Sequence, residues 1–196
     1  VCKSRPGYGK GFRWQVQVGG QWSPPSNTTT DYALPNIARF SIPSAGPVSE
    51  FSTAGQEVIR LHGTQFGTVE HNAVTGVTYG PTGTEYTASL CNVTQSHSEI
   101  TCLTNTGVGG GLLWVVEVGH QASETPTTSY GRPTITQISG ASQARTEGGE
   151  VVIINGTNFG PVEESPGSID SVIYGRAEVP TSSWYKAQDC AVIVPH

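Results

Sequence analysis

The sequence predicts an all-β chain of tandem β-sandwiches, and three observations carry that reading. Gly 25 and Pro 13 among 196 residues punctuate the chain at short intervals, as many brief strands require. Apolar and polar residues alternate in runs such as Phe12, Trp14, Val16 and Val18 against Arg13, Gln15, Gln17 and Gly19. The sequence also repeats itself at a spacing a little under one hundred residues, the size of one sandwich.

The repeat can be followed element by element. "CKSRPGYGKGFRWQVQVGGQWS" aligns with "CLTNTGVGGGLLWVVEVGHQAS". This pairs Cys2 with Cys102, Gly7 with Gly107, Gly9 with Gly109, Gly11 with Gly111, Trp14 with Trp114, Val18 with Val118 and Gln21 with Gln121, each 100 residues apart. "GQEVIRLHGTQFGT" aligns with "GGEVVIINGTNFGP" at an offset of 93, "VTYG" at 77–80 with "VIYG" at 172–175, and Cys91 with Cys190. One full copy runs through "NIARFSI", a turn, "EVIRLH", the loop "GTQFGT", "AVTGVTYG", "EYTASLCNV", "SEITCLT", a glycine run and "LLWVVEVGHQ", roughly seven short strands. The run "GVGGG" is expected to join two strands in a hairpin, and the GT-x-FG turn to fold Phe66 or Phe159 back under its sheet. Trp14 and Trp114 each share a face with alternating valines, so both are expected to fill a core rather than form a sugar platform.

Composition narrows the function classes. A net charge of -5 opposes a phosphate-backbone partner, which needs clustered Lys and Arg, so no nucleic-acid role is expected. With 35 % hydrophobic residues the chain can build real cores, yet no apolar run approaches the length of a membrane span. Met is absent and the first residue is Val, so the chain is expected either to start after processing or to be one section of a longer polypeptide. The four cysteines lack CxxC metal spacing and suit a disulfide framework or buried thiols. Three sequons, at Asn27, Asn92 and Asn155, tip the balance toward the secretory route. Two linkers, "SPPSNTTT" and "SETPTTS", could carry O-linked sugar on Thr28, Thr29, Thr30, Thr125, Thr127 and Thr128.

The stretches "P-x-I … EGGEVVIINGTNFG … VIYG … C" and "C … GVGGGLLWVVEVGHQ … SYGRPTI" resemble the IPT/TIG domain, an immunoglobulin-like fold of plexins, some transcription factors and long extracellular arrays. The resemblance covers essentially the whole chain. "GVGGGLLW" with the "SYGRPTI" joint is similar to arrays on protist and algal cell surfaces, including mastigoneme-like glycoproteins. It implies tandem early-set immunoglobulin-like sandwiches, without the inter-sheet disulfide of antibodies and without catalytic residues. Fold alone does not fix function.

The residues themselves supply no catalytic constellation. His62 aligns with Asn155 and His120 with Gly20; only His97 and His196 match, in a turn where a solvated loop residue is the simplest reading. His71 stands alone as well, and no nucleophile elbow, HExxH, phosphate loop or EF-hand pattern occurs. Glu163, Glu164 and Asp170 lack calcium-loop spacing. The expectation is therefore a chain that is not an enzyme and takes no metal or cofactor.

The boundaries that follow are a C-terminal half-domain at 1–34, a complete domain at 35–131 and an N-terminal half-domain at 132–196. Cys91 ends one strand and Cys102 lies in the next, so an intrachain disulfide is expected there. Cys2 and Cys190, their equivalents, are expected to bond to neighbouring copies. Trp14, Val16 and Val18 form the expected interface, with other copies of the chain and covalent glycans as the partners. Residues 1–34 hold Lys3, Arg5, Lys10 and Arg13 against Asp31, a net +3, whereas 133–196 hold seven acids against Arg145, Arg176 and Lys186, a net -4. The functional expectation is a structural segment of an extracellular, cell-surface filament assembled head to tail by strand complementation. The alternative is an adhesion or carbohydrate-binding module.

Overall fold

The computed structural model of the chain describes residues 1–140, 142–162 and 168–195. Among them every regular element is a strand except the 3-10 turn Thr181–Ser183, so the chain is all-β. Two compact units are distinguished: Val1–Ser49 with Gln56–Asn105 and Gly110–Ser129, and Glu50–Gly55 with Thr106–Gly109 and Tyr130–His196.

The first unit contains a sandwich of two antiparallel sheets. We number its principal strands β1 (Asn36–Ile42), β2 (Val58–Thr64), β3 (Val74–Gly80), β4 (Ser89–Gln95), β5 (Glu99–Leu103), β6 (Leu112–Val118) and β7 (Thr127–Tyr130). One sheet runs Gly46–Pro47, β1, β2, β5, β4; the other contains β7, β6, β3 and Tyr86–Thr87 in that order, with Gln121–Ala122 beside β6. Alternation along β6 sends Leu112, Trp114, Val116 and Val118 inward. They meet Ile37, Phe40, Ile59, Leu61 and Ile100 from the opposite sheet, and Phe40 lies 5.1 Å from Trp114 between ring centroids. Tyr79 of β3 stacks on the other face of this cluster, 4.1 Å from Trp114 and 5° from parallel.

The glycine run departs from its expected role. β5 and β6 lie in different sheets, so residues 107–111 carry the chain across the sandwich and do not close a hairpin. Gly109 and Gly111 have φ of 107° and 65°, which lets a short segment reverse between layers. Cys91 and Cys102, on the neighbouring strands β4 and β5, are joined by a disulfide.

The second unit contains two antiparallel pairs: β8 (Thr134–Ser139) with β9 (Ile153–Thr157), and Ile173–Tyr174 with Tyr185–Lys186. No further strand pairs with either among the described residues.

Candidate assembly interface

The alternating stretch Phe12–Val18 repeats several of the bonds of β6 and its surroundings. Val18 faces Gln21 as Val118 faces Gln121, and Phe12 bridges Thr30 as Leu112 pairs with Thr128. The Ser23 N–H donates to Val16 O at 2.8 Å and the Val16 N–H to Ser23 Oγ at 3.0 Å. The equivalent bonds of Ser123 and Val116 measure 2.9 and 3.0 Å. The indole N–H of Trp14 donates to Thr30 Oγ1 at 2.9 Å, that of Trp114 to Thr128 Oγ1 at 2.7 Å. Residues 1–34 thus repeat the local pairing of β6 and the turn after it. They are tied into the first unit where Gln121 Nε2 donates to Tyr32 O at 2.9 Å, and where Tyr8 and Gly9 lie so close to Gly119 that a Cβ there would meet them at 2.7 and 2.9 Å.

The second unit repeats strand pairings of the first. β8 and β9 pair Thr134 with Thr157, Ile135 with Gly156 and Ile138 with Ile154, with a bulge between Ile135 and Gln137. β1 and β2 pair Asn36 with Thr64, Ile37 with Gly63 and Phe40 with Leu61, with the bulge between Ile37 and Arg39. The glycine of each GT-x-FG turn has the same cause: a Cβ on Gly63 would collide with Asn36 O and the Phe66 ring, and one on Gly156 with Thr134 O and the Phe159 ring. Tyr174 opposes Tyr185 as Tyr79 opposes Tyr86, with ring centroids 5.4 and 5.2 Å apart.

Equal backbones differ in what covers them. Trp114 and Val116 are fully buried, whereas Trp14 is 50 % and Val16 60 % exposed. Ile37 and Phe40 are each 5 % exposed; their equivalents Ile135 and Ile138 are each 60 % exposed. Tyr79 is fully buried and Tyr174 is 59 % exposed. The expectation that Trp14 fills a core is therefore corrected for this chain, since Trp14 is half exposed where Trp114 is fully buried. Phe12, Val16, Val18 and Trp14 line up as an apolar strip of a kind that monomer surfaces seldom expose.

Cys2 and Cys190 are exposed free thiols. Asn27, Asn92 and Asn155 are exposed, and the Asn92 side chain accepts from Asn72 Nδ2 at 3.1 Å. Thr28, Thr29, Thr30, Thr125 and Thr127 are exposed, but Thr128 is 3 % exposed and holds Trp114, so it is withdrawn as an O-glycan site. His71 and His120 are exposed, and His120 lies 3.6 Å from Glu117. His97, at φ 67°, accepts from the Phe66 N–H through its carbonyl and so braces the GT-x-FG loop. Glu163, Glu164 and His196 lie outside the described residues; Asp170 is exposed.

One row of polar residues was not anticipated. Ser41 Oγ lies 2.7 Å from His62 Nε2, and Glu99 lies 3.5 Å from His62 Nδ1. Desolvation and the Arg39 charge hold the His62 pKa below its usual value, partly opposed by Glu99. Ser41 is 7 % exposed. On the loop after β3, Glu85 accepts from the Thr82 hydroxyl and the Thr82 and Thr84 N–H groups, which holds its pKa down to about 2. No group of three metal-ligating side chains is found among the described residues, and none of their helices is long and apolar enough to cross a membrane.

Comparison of the chain with protein-family models and with curated proteins finds no match.

Proposed function

We propose that the chain is a structural segment of an extracellular glycoprotein filament built from tandem immunoglobulin-like IPT/TIG sandwiches. In it, residues 1–34 of one copy complete the sandwich begun by residues 132–196 of another. The observation that carries this reading is the difference in burial between equivalent positions: Trp114, Val116, Ile37 and Phe40 are covered at 35–131, while their apolar equivalents Trp14, Val16, Ile135 and Ile138 are half or more exposed. Added strands bind through main-chain hydrogen bonds, while pockets for alternate side chains give specificity. A heterologous join that does not close on itself propagates as a fibre. The opposite net charges of the two halves select orientation more than strength. The disulfide and the three exposed sequons support an oxidising, glycosylating compartment. The same join serves separate chains or successive sections of one long polypeptide. On this reading the segment catalyses nothing and needs no cofactor.

Sedimentation velocity over a concentration series tests the proposal. A growing series of linear oligomers is expected, and a monomer at every concentration overturns it.

One observation favours the alternative of a carbohydrate-binding adhesion module. Trp22 is 65 % exposed and stands where the complete domain has the exposed Ala122, so completing the sandwich leaves an indole on the surface. Saturable binding on a glycan array that Trp22→Ala abolishes would support it.

A further inference from the structure

Two half-sandwiches could meet in several registers, and a slip of one residue would turn every apolar side chain of the donated strand to the wrong face. The complete domain supplies a template for the correct one. There β6 and β3 pair Leu113 with Gly80, Trp114 with Tyr79, Val115 with Thr78, Val116 with Val77 and Glu117 with Gly76, and a bulge precedes Val118 with Val74. Both partners of that pairing recur outside the complete domain with their local geometry intact. Phe12–Val18 keeps the Val16–Ser23 and Trp14–Thr30 bonds that β6 makes on one edge and has no strand on the other among the described residues. Ile173–Tyr174 keeps the Tyr185–Lys186 partner of one edge and likewise has an open second edge.

Resting on the filament reading, we propose that the strand Arg13–Val18 of one copy docks antiparallel on Ser171–Gly175 of another. Arg13 then opposes Gly175, Trp14 opposes Tyr174, Gln15 opposes Ile173, Val16 opposes Val172 and Gln17 opposes Ser171, and a Cys2–Cys190 disulfide locks the join. The receiving surface is already hollow. A cleft of about 430 Å³ is lined by Ile169, Val172, Ala187 and Cys190 among others. Of its walls, Val172 and Ala187 are the equivalents of Val77 and Ala88, which the complete domain buries. The Ala187 N–H donates to Val172 O at 2.9 Å, as the Ala88 N–H donates to Val77 O. In the docked state the Trp14 indole stacks on Tyr174 as Trp114 does on Tyr79, with Ile138 in the place of Phe40.

Docking brings Cys2 beside Cys190, since Cys102 and Cys91 occupy the equivalent positions and are bonded. A small-molecule disulfide is the oxidant. One protein thiolate displaces one small thiol to give a mixed disulfide, and the second protein thiolate displaces the other. A protein S–S bond forms, the small disulfide is reduced to two thiols, and both protein protons end on them.

The register is read with two chains that lack Cys2 and Cys190 (C2S/C190S), one carrying Gln17→Cys and the other Ser171→Cys. Directly opposed Cβ atoms in an antiparallel pair sit about 4.5–5.5 Å apart, within reach of a disulfide. Oxidised glutathione should give a reducible dimer from this pair at least ~10-fold faster than from Gln17→Cys with Asp170→Cys or Val172→Cys. Mixing C2S chains with C190S chains should give a dimer bonded Cys2 to Cys190 and no longer ladder. Association with the cross-link at 170 or 172 overturns this register while leaving the filament reading standing. Association without a bond between Cys2 and Cys190 overturns the lock alone. Neither association nor any cross-link, or a Cys2–Cys190 bond within one chain, overturns both readings.

Discussion

Trp14→Ala separates assembly from folding because its equivalent, Trp114, performs the same packing inside a finished domain. An aromatic side chain buries roughly 150–250 Å², and Trp14 is 50 % exposed, so docking removes about 100 Å² more from water. At about 25 cal/mol per Å² that is ~2.5 kcal/mol, and stacking on Tyr174 brings it to about 3, or a fall of roughly 100-fold in the association constant. The assay is sedimentation velocity on wild type and Trp14→Ala, fitted for a stepwise association constant, beside a thermal melt of each. The variant should melt with the wild type, since the core around Trp114 is untouched. Trp114→Ala should instead lose about 3–5 kcal/mol of stability, because it empties a fully buried site. Association of Trp14→Ala at wild-type strength, or a melt lowered as far as that of Trp114→Ala, would refute the reasoning.

Replacing both Cys91 and Cys102 by Ser should lower stability by about 3 kcal/mol in chemical denaturation, the loop-closure entropy that the bond removes from the unfolded chain. The His62 pKa is depressed on folding, so its contribution is fully present above the unfolded value near 6.5 and is lost as pH falls through the folded one. Stability should therefore decline below about pH 6.5, and His62→Asn, the residue the repeat carries at 155, should flatten that decline. Glu85 should titrate near 2 by NMR, and Thr82→Ala should move it back toward 4.5 because the largest cause of the shift is the Thr82 hydroxyl. Secreted expression should add hexosamine at Asn27, Asn92 and Asn155, and peptide masses free of sugar at all three would contradict the extracellular reading.

Strand positions were legible because alternation and glycine spacing are local properties. "NIARFSI" is β1 residue for residue, and the run "LLWVVEV" is β6. The matching registers of β1 with β2 and β8 with β9 follow from the same apolar and glycine positions. Burial was not legible, since alternation says which side chains share a face and not whether a second sheet covers it. That is why Trp14 and Trp114 read alike in sequence and differ in exposure. The glycine run was misread for a related reason: short connections between strands suit a hairpin and an inter-sheet crossing equally. Thr128 looked like linker because it lies in a run of Pro, Ser and Thr, yet it sits opposite Leu112 and under the indole N–H of Trp114. The Ser41–His62–Glu99 row comes from three strands far apart in sequence, which only register brings together.

Amide hydrogen exchange on the full chain, in dilute and concentrated solution, tests strand complementation most directly. The amides of Arg13, Gln15 and Gln17 and those on the open edge of 171–175 should become protected together as concentration rises, while those of β6 stay protected throughout. Fast exchange in both segments at every concentration, with β6 still protected, would contradict the account.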